Sequence, residues 1–238
     1  MNRLGLAALL FLQAQTPPPI ETVKAAIENT AKSSYSYRVG GRFTREGVFV
    51  PPDLLTARID GFQSARNGAK ILVKGPEGLW KTPDERLGEQ VEGTPPEVAD
   101  KVTTLREAER PHEMLSMLLA DVKSGPPTEI AGGYSFAYDP EKVRTYLRKE
   151  LDKAVERKTV AKPDSVAWET AEGRLRVHLA RGLILKFSEE RTVSIRYKRE
   201  GEPDERKRYR TEMAFELSNH GEAKVELPEE VRKRLDLK

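Results

Sequence analysis

The chain has 238 residues and not one cysteine. Disulfide bonds, thiolate nucleophiles and cysteine-held metals are thereby excluded. Histidine is scarce as well. His112, His178 and His220 are isolated, and none has a second metal-ligand type at i+2 to i+4 in a familiar arrangement. His112, near a helix start, and His178, on a polar strand face, are expected at the surface. The serine-nucleophile pattern G-x-S-x-G is absent. Charge of one sign is missing too: 41 basic against 38 acidic residues leave +3, which makes no electrostatic case for a nucleic-acid partner. There is no internal repeat and no low-complexity tract.

What is present begins at the first residue. "MNRLGLAALLFLQAQ" has one basic residue, Arg3, then an apolar run from Leu4 to Leu12, then the small Ala14 and the turn-forming "TPPP". A basic start, a short apolar core and a small residue beyond it predict a secretory signal peptide over 1–14. An ordinary buried N-terminal helix is the competing reading. The run is too short to span a bilayer as a helix. With no cysteine after it, no acyl anchor can follow cleavage. The expectation is a soluble periplasmic or secreted chain, with 15–238 forming a single domain.

Hydrophobic residues make up 37% and charged ones 33% of the chain, a globular composition with a heavily charged surface. Ile20, Val23, Ile27 and Ala31 predict a helix over 19–33. From Tyr35 the pattern alternates as a strand, with a bulge or bend at Gly40-Gly41. Segments 55–65 and 69–74 read as further strands joined by an Asn67-Gly68 hairpin. Residues 84–97 read as loop. Helices are predicted over 96–109, over 111–123, where Leu115, Leu118, Leu119 and Val122 share a face, and over the stretch beginning "PEKVRTYL". A short strand, "GGYSFAYD", precedes that last helix. The rest is β-rich: "RLRVHLA", two strands in "GLILKFSEERTVSIRYKRE", a long strand in "ERKRYRTEMAFELS", a turn at Asn219-His220-Gly221 and a short strand ending at Pro228. A brief charged helix or tail closes the chain. Counting patterns gives roughly nine to eleven mostly antiparallel strands, an α+β fold.

"GPEGLWKT", Gly75 to Thr82, almost spells the phosphate-cradling G-x-x-x-x-G-K-[ST]. Trp80 stands where that loop needs its second glycine, and Pro83 disfavours a helix through the residues before it. The stretch is read instead as a hairpin, with a turn over Gly75–Gly78 and a return strand over 79–82 that lays Trp80 on the sheet, in or beside the apolar interior. No nucleotide is expected.

Three further features were weighed for chemistry. Glu189 and Glu190 are adjacent, but strand neighbours point to opposite faces and cannot act together. A glycosidase-type pair would need two acids about 5 to 10 Å apart in a cleft. "RKRYRTE" is the most basic run, with Arg206, Arg208 and Arg210 on one strand face and Lys207, Tyr209 and Thr211 on the other. It could face nucleic acid or anionic headgroups, but Glu202, Asp204 and Glu205 dilute it, and a solvated face is the simpler reading. Met114 and Met117 lie in helix 111–123, where methionine suits either a core or an adaptable apolar pocket.

The order of elements resembles the LolA/LppX family of periplasmic lipoprotein and lipid carriers over about 19 to 230. The stretches carrying it are "SYSYRVGGRF", "LLTARIDGFQ", the "AKILVKGPEGLWK" hairpin with its Gly and Trp, the helical inserts, and the closing "FELSNHGEAKVELP". The resemblance implies a half-open antiparallel β-barrel whose concave face is covered by helices, with an apolar cavity between them for acyl chains. Helices 96–123 would plug the mouth. The lining would include Phe43, Phe62, Trp80, Met114, Leu115, Met117 and Leu118. An arginine would latch the cavity, with Arg38 and Arg42 as candidates. The implied function is a non-enzymatic carrier of a lipid or acylated protein, acting as a monomer with transient membrane contact and without cofactor, metal or nucleic acid. A sensor or interaction module of the same fold, with a filled core and a protein partner, is the alternative.

Overall fold

A computed structural model describes residues 18–41, 43–76, 78–88, 95–156, 165–198 and 205–237. The expected leader and Arg42 lie outside them. The elements run α1 (Pro19–Ala31), β1 (Tyr35–Gly40), β2 (Arg45–Val50), β3 (Leu54–Ile59), β4 (Phe62–Asn67), β5 (Lys70–Lys74), α2 (Pro83–Gly88), α3 (Pro96–Arg106), α4 (Pro111–Leu119), β6 (Thr128–Ile130), β7 (Gly133–Ala137), α5 (Pro140–Glu156), β8 (Ser165–Ala180), β9 (Leu183–Lys198), β10 (Glu205–Ser218) and α6 (Glu229–Arg234). The fold is α+β. All ten described strands form one antiparallel sheet in the order β5-β4-β3-β2-β1-β10-β9-β8-β7-β6, which does not close into a barrel.

Local chemistry explains most boundaries. Proline opens α1, α2, α3, α4 and α5, where its missing N–H costs nothing and its fixed φ suits the first turn. Asp139 accepts a 2.8 Å bond from the Glu141 N–H and caps α5. Asp60 and Gly61 both have positive φ, 45° and 84°, so the predicted strand 55–65 is two strands joined by a tight hairpin turn. Residues 84–97 are not all loop either. The Thr82 N–H donates to Glu85 Oε2 at 2.7 Å and the Glu85 N–H donates to Thr82 Oγ1 at 3.3 Å. That reciprocal box starts α2 at Pro83.

Alternation along the strands separates two faces. The inner face carries Tyr35, Tyr37, Phe49, Leu55, Ile59, Phe215, Phe187, Leu175 and Val177, all buried in one apolar cluster. Val23 and Ala26 of α1, Val102 and Leu105 of α3, Leu115 and Leu118 of α4, and Val143 and Leu147 of α5 complete it. Gly47 is needed here, because a Cβ would meet the Tyr37 ring at 2.6 Å. The ring lies over the glycine, and its hydroxyl donates to the Thr56 carbonyl at 2.8 Å.

The outer face holds a second, smaller cluster: Ala65, Leu72, Trp80, Val231 and Leu235. Trp80 is therefore buried against α6, on the side of the sheet away from the main interior. The reason is parity: Val73 points inward, Leu72 outward. The expected return strand 79–82 is a single bridge, in which Lys81 exchanges bonds of 2.7 and 2.9 Å with Val73. Two other expectations change. "LILKFSEERTVSIRYK" is one continuous strand, and the segment ending at Pro228 pairs with no strand among the described residues, running instead as a strap into α6.

Packing of α6 on Trp80 yields a test. In a Trp168→Phe background, which leaves Trp80 the sole indole, Leu235→Ala should cost about 2–4 kcal/mol in urea unfolding. It should also red-shift tryptophan emission. Unchanged emission would contradict this placement.

Candidate functional site

The inner wall beneath α3 and α4 is the apolar surface that could take a ligand. Five of the expected lining residues meet there: Phe62, Leu115 and Leu118 are buried in the main cluster, and Phe43 and Met114 pack against it half-buried. Two do not. Met117 is 49% exposed on the far side of α4, about half a turn from the face that Leu115, Leu118 and Leu119 share. Trp80 belongs to the outer cluster. The interior is filled by side chains: Val102, Leu115, Phe187 and Val143 have no solvent exposure.

The two covering helices are held differently. α4 is anchored at both ends by buried polar groups. At its start, the Tyr35 hydroxyl and His112 Nδ1 share a 2.7 Å hydrogen bond, with the imidazole 4.9 Å from the Phe49 ring. His112 is thus buried, contrary to the surface position expected from its sequence context. Burial drives the Tyr35 phenol far above its usual range and depresses His112, so both stay neutral at neutral pH. Just beyond the other end, Asp121 accepts a 3.1 Å bond from Arg191 Nη2. Arg191 is 2% exposed, donates from Nε to Glu189 at 3.0 Å and lies 4.0 Å from the Tyr146 ring centre. One buried cation thereby joins β9, the end of α4 and α5. A charge so placed is expensive to leave unpaired.

α3, which lies against β3, β4 and β5, has weaker tethers. Arg45 Nη1 on β2 reaches the Thr104 carbonyl at 3.4 Å, while its Nε is buried without a partner. Arg66 Nη1 on β4 reaches the Ala108 carbonyl, also at 3.4 Å. Lys101 pairs with Asp60 at 3.2 Å and Glu97 at 2.9 Å, but both carboxylates are exposed and such pairs contribute little. Between the two arginines sits Glu109, whose carboxyl burial pushes up. Arg45 is therefore the arginine that reaches α3 itself. Arg38, one of the two candidates from sequence, is exposed on the outer face, 3.7 Å from Glu46. Strand alternation already sets Arg38 opposite Tyr35, Tyr37 and Val39, whereas the contact of Arg45 with Thr104 spans a sequence separation of 59, which no local spacing carries.

The largest cavity described is elsewhere. A groove of about 860 Å³ runs across the outer face, floored by Ser36, Arg38, Glu46 and Arg58 and roofed by Lys224–Leu227 of the strap. Arg58 and Arg38 share Glu46 across its floor. Among the described residues no group of three or more His, Asp or Glu is arranged to hold a metal ion, and no helix is long and apolar enough to cross a membrane. Glu189 faces inward to Arg191, whereas Glu190 faces outward to Arg210 at 3.0 Å, so strand alternation separates them as expected. Neither any family model nor any curated protein matches the chain.

The His112 anchor makes stability pH-dependent. A depressed folded pKa means the unfolded state takes up the proton more readily. The stabilisation is complete above pH about 6.5 and is lost as pH falls through the folded value. Tyr35, Arg110 and Glu113 face the ring, and His220, also depressed by burial, stacks near Tyr35 and titrates in the same sense. The urea midpoint should drop between pH 7 and pH 5, and His112→Gln should flatten that slope while costing about 1–3 kcal/mol at pH 7. Equal slopes in the two proteins would contradict the anchor.

Proposed function

We propose that this chain is an exported, periplasmic or secreted binding protein that takes up an acyl chain of a lipid or lipid-modified protein. The ten-stranded sheet is read as a half-open barrel with the helices on its concave side, and α3 as the lid. The observation that carries this reading is the uneven fastening of the cover: α4 is held by buried groups at both ends, whereas α3 is reached by Arg45 at Thr104 and, just past its end, by Arg66 at Ala108, both at 3.4 Å, with half-exposed ion pairs beside them. Magnitudes favour exchange. Lifting Val98, Val102 and Leu105 off the wall costs about 1.5–3 kcal/mol each, and an incoming chain returns about 0.8 kcal/mol per CH₂, so roughly six to eleven methylenes offset the loss. Any common membrane acyl chain is longer. The protein needs no reaction for this, only transient contact with a membrane or an acylated partner.

A filled interior also favours a second reading, an interaction or sensor module of the same architecture that binds a protein and never opens. Ligand binding separates the two. Protein purified from its native envelope, extracted under denaturing conditions, should release lipid detectable by mass spectrometry. A fluorescent acyl probe should bind, and Arg45→Ala should bind it roughly fivefold more tightly, because removing the tether to α3 raises the open fraction. If no lipid is released and neither protein binds the probe, the carrier reading fails and the interaction module replaces it.

A further inference from the structure

The outer groove plays no part in acyl binding, which concerns the opposite face of the sheet. Its volume of about 860 Å³ falls within the roughly 300–1,000 Å³ usual for small-ligand sites. Its floor carries one cross-strand row. Arg58 on β3 stands opposite Glu46 on β2, Glu46 opposite Arg38 on β1, Arg38 opposite Glu216 on β10, and Glu216 opposite Lys186 on β9. Positive and negative groups alternate along the whole row. With neighbouring strands about 4.8 Å apart, it spans about 19 Å.

The groups of this row are held in place without being used up. Arg58 and Arg38 reach Glu46 at 3.1 and 3.7 Å, Lys186 reaches Glu216 at 3.2 Å, and each of these side chains is between 47% and 62% exposed. Guanidinium, ammonium and carboxylate alike keep donors or acceptors to spare. Over the row runs the strap. Its Val225 and Leu227 are half-buried against the groove, and among the described residues Lys224 to Leu227 make no backbone hydrogen bond. We propose that this slot binds a neutral, extended oligosaccharide, laid across the strands between the charged row and the strap. A sugar hydroxyl both donates and accepts. Neighbouring hydroxyls therefore meet a carboxylate and a guanidinium in turn, each as a charge-assisted bond. The C–H faces of the rings rest on Val225 and Leu227.

Other occupants fit less well. A polyanion would meet Glu46 and Glu216 within the row, and a polycation Arg58, Arg38 and Lys186, so either is repelled at every second position. An acyl chain would strip water from the row and return no hydrogen bond. An extended peptide finds no free strand edge on the floor, because β3, β2, β1, β10 and β9 are all inner strands of the sheet. A narrow slot between a sheet and a strap takes the flat ribbon of a β-1,4-linked chain and not the curve of an α-1,4-linked one. The site lies on the face of the sheet away from α3, so it and the acyl-binding interior stand or fall separately.

The probe is chitotetraose, a neutral β-1,4-linked tetrasaccharide, titrated into the full chain by isothermal calorimetry. Binding should be saturable, and weaker by about tenfold in Arg38→Met and about threefold in Val225→Ala. Arg174→Met, on the outer face of β8 beyond the groove, should leave it unchanged. Circular dichroism checks that each variant folds. Because the ligand is uncharged, affinity should change by less than about twofold between about 0.05 and 0.5 M salt. No binding at about 10 mM chitotetraose overturns the proposal. So does undiminished binding by Arg38→Met and Val225→Ala, equal binding of the α-1,4-linked maltotetraose, or a steep loss of affinity with salt. Tighter binding of an acetylated and amidated Gly-Ser hexapeptide would assign the slot to a peptide instead. A dimer in sedimentation equilibrium that Arg58→Glu dissociates would assign it to a second copy of the chain. Either result also overturns the proposal.

Discussion

The inner face of the sheet, from Phe62 on β4 through Tyr37 and Phe215 to Leu175 on β8, is apolar across its width and has to be kept from water. An antiparallel sheet can leave one face wet but not both. Here the wet face is the outer one, with its alternating Ser36, Arg38, Glu46 and Arg58. The inner face is closed by four helices inserted at three places in the chain. α1 enters before the sheet, α3 and α4 between β5 and β6, and α5 between β7 and β8. Their prolines and caps matter because they fix where each helix starts.

Closure is not uniform, and that unevenness is where function enters. The buried Arg191 group and the Tyr35–His112 bond hold α4 and α5 as parts of the core. α3 brings Val102, Leu105 and the half-buried Val98 to the wall and is tied down by Arg45 at the Thr104 carbonyl, with Arg66 reaching the Ala108 carbonyl just past its end. A cover made of one firm and one light piece suits a protein that opens on one side without losing its fold. On the proposed function, the packed interior is the closed state of a carrier, and its filling residues are what an acyl chain would displace.

Much of this was legible in the residues. Alternation in "RLRVHLA" and "YSYRV" marked strands and their faces, and apolar residues at helical spacing, Ile20, Val23 and Ile27 or Leu115, Leu118 and Leu119, marked helices. Other signals were present but outweighed by the Gly- and Pro-rich composition around them: Asp60-Gly61 is a tight hairpin turn, and Thr82-Pro83-Asp84-Glu85 is a helix cap. So "GPEGLWKT" is neither a phosphate loop nor a full return strand, since its Lys81 makes one bridge and its Thr82 caps a helix. Trp80 was expected in or beside the main interior and went to the outer face. Which of two faces a one-bridge segment presents depends on the C-terminal α6 packing back from far along the chain, and no local pattern carries that. The same holds for Arg45, Arg191 and His112, whose roles come from partners at sequence distances no spacing rule reaches.

Because the chain has no native cysteine, motion of α3 can be read directly. Spin labels on Glu97→Cys, at the free end of α3, and Ser218→Cys, exposed on β10, report the distance between lid and sheet by pulsed electron–electron resonance. The account predicts one narrow distance in the empty protein. A second, longer population should appear on loading with a diacyl phospholipid, growing with the lipid occupancy measured by mass spectrometry. A single unshifted distance at full occupancy would contradict the claim that α3 is the lid.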